Sequence, residues 1–488
     1  MKMKKIISLL LAIIMLFSIS IGTSLSACAE ESGDFKYKLL DDGTIEIIGY
    51  GEKDDDYWQY DEDLIIPSEI DGYAVTSIGS MALAWSYGVD HIVIPEGVTN
   101  IGNEAFYGCE GLKYIEIPAS VENIGVAPFA ECYSLLRITV DENNENYCSP
   151  DGVLFNKDQT ELIAYPAHCD KTEYLIPDGV TTIADYAFYA SSKLERVEIP
   201  DSVIVINDFA FSDCESLADA KLPAYVEIIG GWAFDFCSIT SVEIPDTVTQ
   251  IGEYAFYGTN LTSVEIPDNI TEISDYCFAS CEDLTDVVIG NGVIRIGENA
   301  FLGCKSLTSI EIPDNVETVG QYAFLHCPSL KSVSFGSNVE RIDDTMFFSC
   351  DKLEAIYILN KDCNISYIYE EPRDTITIYG YAGSTAQAFA EKYGLAFVDI
   401  EEMTDEPTTE EPTTDEPTTE EPTTEAPAVE EPFTEETTTE ATTKPSTTEK
   451  SDTEKSPSTG APGKGLFAFA AIFLAGSAIM IVKKKEQN

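Results

Sequence analysis

From residue 83 onward the chain repeats one arrangement of apolar and polar positions. Aligned on a single position, the copies carry Phe106, Phe129, Phe188, Phe211, Phe234, Phe256, Phe278, Phe301, Phe324 and Phe347, with Leu83 in an earlier copy. Successive steps are 22 or 23 residues, except for the 59 between Phe129 and Phe188. In one copy Val319, Ala323-Phe324, Cys327 and Leu330 are apolar, and then Val333 and Phe335 alternate with polar residues. That alternation predicts a short strand with one buried face. Several strands end in Pro and an acidic residue, as in Ile312-Pro313-Asp314, Ile266-Pro267-Asp268 and Ile199-Pro200-Asp201. Proline removes a ladder N–H and Pro-Asp opens a turn, so each strand stops there.

One unit of this length cannot bury its apolar face alone, but stacked units cover one another. About six apolar side chains per unit, at roughly 1.5–3 kcal/mol each, give a core that grows coil by coil. The pattern Ile-Gly-x-x-Ala-Phe-x-x-Cys-x-x-Leu-x-x-Ile-x-Ile-Pro, carried by Ile101 to Pro118 and Ile296 to Pro313, resembles the BspA-like leucine-rich repeat of bacterial surface proteins. The resemblance covers roughly residues 64–360. It implies a β-rich α/β solenoid, a right-handed leucine-rich-repeat array with one short parallel strand per 22–23-residue coil. It also implies surface display and adhesion-type binding, and it names no ligand.

The flanks of the array read as caps. In the N-terminal cap, residues 30–63, Asp41-Asp42-Gly43-Thr44 lies between two alternating runs and predicts a hairpin. In the C-terminal cap, residues 361–400, a helix is expected from Ser384 to Tyr393, stopped by Gly394, with a last strand at Phe397 to Ile400. The long step contains an insertion, residues 141–176. Val153-Leu154-Phe155 and Leu162-Ile163-Ala164-Tyr165 predict a second hairpin there, standing off the coil edge.

The remaining segments carry targeting signals and a stalk. Lys2, Lys4 and Lys5, an apolar run over 6–21 and a small-residue stretch mark residues 1–29 as a secretory signal peptide. Ala27-x-Ala29 suits ordinary cleavage, while Leu25-Ser26-Ala27-Cys28 resembles a lipobox in which Cys28 is lipidated. Residues 401–455 repeat [Asp/Glu]-Glu-Pro-Thr-Thr and bury nothing, so an extended linker is expected. At about 3 Å per residue it reaches roughly 170 Å. In residues 456–488, Pro457-Ser458-Thr459-Gly460 precedes an uncharged run from Leu466 to Val482 and then Lys483, Lys484 and Lys485. That order resembles a Gram-positive sortase signal, with Pro457, Thr459 and Gly460 as the sorting motif and Ser456 where a leucine is usual. Attachment is to the wall by sortase or to the membrane by the span.

Composition narrows the partners. The chain has 86 acidic and 28 basic residues in 488, a formal charge of −58. Such a surface repels nucleic acid, which is excluded as a partner. Eight cysteines share one repeat position: Cys109, Cys132, Cys214, Cys237, Cys281, Cys304, Cys327 and Cys350. Neighbours about 5 Å apart are within reach of bridging, but parallel Cβ vectors favour a column of buried thiols. Cys148 and Cys169 flank the insertion hairpin and are the candidate disulfide. His91, His168 and His326 are the only histidines and sit in no motif, so no catalytic site, metal site or cofactor is expected.

The reading that follows is a surface-displayed binding protein, adhering to an extracellular protein or glycan through its strand face. The alternative is a non-binding spacer. Outward strand positions carry Glu116, Glu198, Glu243, Glu265 and Glu311, each just before Ile-Pro, with Tyr114 and Tyr357 as the large apolar candidates. Where such glutamates stack they repel by about 0.2–1 kcal/mol per pair, which a cation or a basic partner would relieve.

Overall fold

The computed structural model describes residues 30–51, 63–366 and 375–404. They form a parallel-strand solenoid of about 14 turns, with about 23 residues per turn. Each regular coil contributes two short strands, where the sequence pattern predicts one. In one coil these are Ser309–Ile312 and Thr318–Val319. The first pairs in parallel with Ser332–Phe335, the second with Arg295–Ile296, so two ladders run along the stack. The second strand follows the Pro313-Asp314 turn and is only two residues long, too short for an alternating pattern to reveal it. Backbones meet closely there. A Cβ on Gly320 would lie 2.5 Å from the backbone nitrogen of Glu298.

The core is a column of stacked rings. Phe256, Phe278 and Phe301 are fully buried. Their centroids lie 5.5 and 5.8 Å apart with planes within 9° of parallel. Such pairs are worth about 0.5–1.5 kcal/mol beyond their buried area. Around each ring the backbone zigzags through left-handed residues, as at Tyr276 (φ 58°) and Ser280 (φ 60°). Non-glycine residues resist that region. They are held by bonds to the next coil: Tyr276 N to Glu298 O, Phe278 N to Ala300 O and Ser280 N to Leu302 O, at 2.6–2.9 Å.

The eight repeat cysteines are all buried, and none of them is in a disulfide. Their shared position has a polar task beside filling space. Cys214, Cys304 and Cys327 donate through Sγ to the carbonyls of Phe188, Phe278 and Phe301, one coil earlier, at 3.1–3.3 Å. Where cysteine is missing, Ser86 and Thr259 donate within their own coil, to Leu83 O and Phe256 O at 2.8 and 2.9 Å, and the buried Ser191 hydroxyl has no partner. A thiol is a weak donor small enough for the gap, so the column needs no bridge.

The insertion hairpin is built into the stack and does not stand off its edge. Leu154–Asn156 and Glu161–Ala164 pair antiparallel, and the second strand continues a ladder in parallel with Thr182–Ile183. Its inward residues join two hydrophobic cores. Leu154 and Ala164 belong to the core that begins at Tyr37, Val153, Phe155 and Leu162 to the one that ends at Leu395. These five apolar residues had to be covered, and the open edge of the array covers them. Cys148 and Cys169 do not form the expected bridge. The Cys148 thiol lies against Asn156 O and Lys157 O, at 3.5 and 3.9 Å.

Elements of both expected caps are present among the described residues. Phe35–Leu39 and Ile45–Tyr50 form the N-terminal hairpin, whose second strand pairs in parallel with Tyr73–Ile78. Helix Thr385–Tyr393 is capped by Ser384, which accepts from Gln387 N, and stops at left-handed Gly394. Strand Ala396–Asp399 ends the face ladder. The segments 1–29 and 405–488 lie outside the described residues, and with them Cys28, Pro457, Thr459, Gly460 and most of the linker.

Two outcomes follow. Phe278→Ala is expected to cost about 3–5 kcal/mol in urea unfolding, and a loss under about 1 kcal/mol would deny the ring column its role. The thiols give a pH signature. Burial pushes Cys281 up to about 12 and Cys277 and Cys304 well up. The folded chain therefore keeps protons that the unfolded chain releases. That stability is complete below the ordinary thiol value and is lost as pH rises from there toward 12. The unfolding midpoint should fall over this range, and less so in Cys281→Ala; an equal fall in both would remove the thiol as the cause.

Candidate functional site

Along the face ladder, inward and outward positions obey different rules. In Ser309–Ile312 the inward Ile310 and Ile312 are buried and the outward Ser309 and Glu311 are exposed. Inward positions are Val, Ile, Leu, Ala or Phe in most coils, with Tyr174 in one. Outward positions change from coil to coil, because burial places no demand on them.

The predicted residues all point outward but do not make one acidic column. Glu116 sits between Val93 and Thr139 in register. Glu198 sits between Leu175 and Lys221. Glu265 faces Val288, and Glu311 faces Ser334. Glu243 is exposed in a segment without assigned strand, so no ladder fixes it opposite Glu265. Hydrophobic and basic neighbours thus dilute the repulsion that sequence spacing suggests. Tyr114 is 46% exposed beside His91, which lies 3.4 Å from Asp63 and 3.7 Å from Glu116. Arg196 pairs with Asp219 at 2.8 Å. Tyr114 and Tyr357 are joined on the face by Ile65, Leu175 and Val288, which are 57–69% exposed, and by Tyr379.

The outward face is divided by charge. Among the described residues, every face strand from Asp63–Ile65 to Ser309–Ile312 points an Asp, Glu, Lys, Arg or His side chain outward. The four strands that follow point none. Their outward residues are Ser332 and Ser334, Ala355 and Tyr357, Thr377 and Tyr379, and Ala396 and Val398, in register.

Two features away from the strand face escaped sequence reasoning. One is a ridge of half-buried rings, Tyr186, Phe209, Trp232, Tyr254 and Tyr276, stacked 3.7–5.6 Å apart. Its signal was present: an aromatic residue two places before the repeat phenylalanine in five successive copies. The other is a break in the backbone ladder at the long step. The N–H groups of Ala127, Phe129 and Glu131 have no acceptor among the described residues, although their counterparts Tyr186, Phe188 and Ala190 are all bonded. Near the break Tyr107 donates to Glu131. Burial raises the carboxyls of Glu131 and Asp213, and Glu131 also feels the charges of Glu110 and Asp213.

No group of three or more His, Cys, Asp or Glu is placed to hold a metal ion among the described residues. No described helix is long and apolar enough to cross a membrane. What remains is a repeat array whose distinctive chemistry lies on its outward strand positions. The chain belongs to the BspA type leucine rich repeat family, whose model matches six copies over residues 76–149, 164–285 and 271–371, more than half of the chain.

Solved structures resemble it at lower similarity. A leucine rich cell surface protein of Faecalibacterium prausnitzii is 24% identical with a TM-score of 0.39, over 71% of this chain and 96% of that one. A leucine-rich repeat protein of Bacteroides ovatus is 25% identical with a TM-score of 0.38, over 70% and 100%. The pneumococcal vaccine antigen PcpA is 18% identical with a TM-score of 0.34, over 76% and 98%. No curated protein matches the chain.

Asp235 supplies a test of the turn side. It is 4% exposed, its Oδ1 has no partner, and burial holds its carboxyl well above the usual range. A raised folded value means the contribution to stability is present at acid pH and lost as pH rises through that value. Asp235→Asn should therefore gain about 1–3 kcal/mol near pH 8 and lose that advantage toward pH 4. A variant that is no more stable near pH 8 would show that the carboxylate is not buried at a cost.

Proposed function

We propose that the protein is displayed outside the cell and adheres, through the strand face of its solenoid, to a protein or glycan of a host or of neighbouring cells. The observation that carries this reading is the segregation of the outward positions into a charged stretch and a neutral stretch. A spacer needs only a solvated face, and folding makes no demand on which polar residue stands where. Glu116, Glu198, Glu243, Glu265, Glu311 and Tyr114 lie on the charged stretch, and Tyr357 on the neutral one. Among the described residues the array offers no constellation that suits catalysis, and a nucleic-acid partner is opposed by the charge of −58.

Display is supported by the segments at both ends of the sequence. The signal-peptide pattern over 1–29 directs export, and the order of sorting motif, apolar run and lysines over 456–488 tethers the chain to wall or membrane. The acidic Thr/Pro linker between them carries the solenoid away from the surface.

The test is a binding screen of the full chain against extracellular matrix proteins and glycans. Saturable binding is expected, weakened by outward substitutions such as Tyr114→Ala with Glu116→Gln and unaffected by Tyr276→Ala on the ring ridge. No saturable ligand on any class of probe, or binding lost only in Tyr276→Ala, would favour the spacer reading or a different surface.

A further inference from the structure

We infer that the neutral C-terminal stretch of the strand face is a binding platform for an uncharged glycan, a proposal that rests on the face being a binding surface. Four successive strands, Ser332–Phe335, Ala355–Ile358, Thr377–Gly380 and Ala396–Asp399, pair in parallel and in register. At about 4.8 Å per strand the platform is roughly 14 Å across. Its outward side chains are two serines, a threonine, two tyrosines, two alanines and a valine. Asp399 does not interrupt it. That residue lies on the other face of its strand and accepts from Glu401 N at 3.1 Å.

Neutrality is the informative property. The chain carries 114 charged residues on formal count, 86 acidic and 28 basic, and every earlier described face strand presents at least one Asp, Glu, Lys, Arg or His. A basic or acidic partner would gain nothing from this stretch, whereas the Glu311 strand beside it already offers charge. The hydroxyls of Ser332, Ser334, Thr377, Tyr357 and Tyr379 each donate and accept, which matches the hydroxyl-rich edge of a sugar without fixing a charge.

The tyrosines supply the apolar half of the recognition. Tyr357 and Tyr379 stack at 4.3 Å with planes 19° apart. The column runs on from Tyr357 to the small Ser334 and from Tyr379 to Val398. One face of the Tyr357 ring therefore looks over a serine, not over another ring. A pyranose laid on Ser334 would set its C–H face against that electron-rich ring face, with its hydroxyls beside Ser332 and Ser334. The stack fixes the Tyr357 ring before any ligand arrives, which reduces the ordering that binding requires. Small Ala355, Thr377 and Ala396 beside the tyrosine column leave room along the same strands.

The test uses the immobilised full chain and two sets of probes. The neutral set is oligomers of glucose, mannose, galactose and N-acetylglucosamine, and the acidic set is sulfated and uronic-acid oligomers. At least one neutral oligomer should bind, with an affinity that changes less than about twofold between about 0.05 and 0.5 M salt, because no ion pair is screened. Tyr357→Ala and Ser334→Glu should each weaken it about tenfold or more. Tyr276→Ala on the ring ridge, away from the strand face, should retain most of the affinity, and unchanged circular dichroism of the three variants shows that each still folds. Failure of every neutral oligomer while matrix proteins still bind would overturn this inference and leave the binding role of the face standing. Binding only of acidic oligomers, a neutral ligand indifferent to Tyr357→Ala and Ser334→Glu, or a self-association abolished by those same variants would overturn it as well. A chain that binds nothing in either screen would overturn both readings.

Discussion

Every coil of this protein depends on its neighbour. A loop of about 23 residues has no room for a core of its own, so the repeat phenylalanine is buried only when neighbouring coils cover it. The same dependence governs the backbone. Most left-handed residues beside the ring send their N–H groups to carbonyls one coil on, while Ala127 and Glu131, at the break, are left-handed without that bond. The cysteine position answers the same need from the other direction, giving a donor to the carbonyl of the preceding coil. Rings, backbone and thiols are three columns that repeat one nearest-neighbour interaction.

That constraint divides the chain into positions the fold owns and positions it does not. Inward residues are nearly uniform because each must match the residue stacked on it. Outward residues are free to differ, and along this face they differ in an organised way: charged up to Glu311 and neutral from Ser332. The insertion shows how the constraint is met where the repeat fails. A hairpin takes the place of a coil, keeps Leu154, Phe155 and Leu162 buried, and joins two cores that would otherwise end on open apolar surface. The join is incomplete on the turn side, where Ala127, Phe129 and Glu131 face the gap.

The sequence made the array legible because its strongest signal, a phenylalanine every 22 or 23 residues, is also the physical origin of the stack. The face strands, the Pro-Asp turns, the buried thiol column and the elements of both caps follow from local patterns. Three features did not. The two-residue strands such as Thr318–Val319 are shorter than any periodicity. The hairpin's place was hidden because its ladder partner, Thr182–Ile183, lies beyond the end of the insertion. The neighbours of the outward glutamates were not legible because counting copies ignores what stands between them: Val93 and Thr139 flank Glu116, and Lys221 adjoins Glu198. The neutral platform was half visible, in Tyr357, but its partner Tyr379 belongs to a strand outside the regular repeat.

Native-state hydrogen exchange of the full chain tests the nearest-neighbour account most directly. Protection should be high through the interior coils of each core segment and fall toward both ends. The amides of Ala127, Phe129 and Glu131 should exchange far faster than those of Tyr186, Phe188 and Ala190, which occupy the same places in a coil with a bonded neighbour. Equal protection at the two sets of amides, or interior coils no better protected than the terminal ones, would contradict the account.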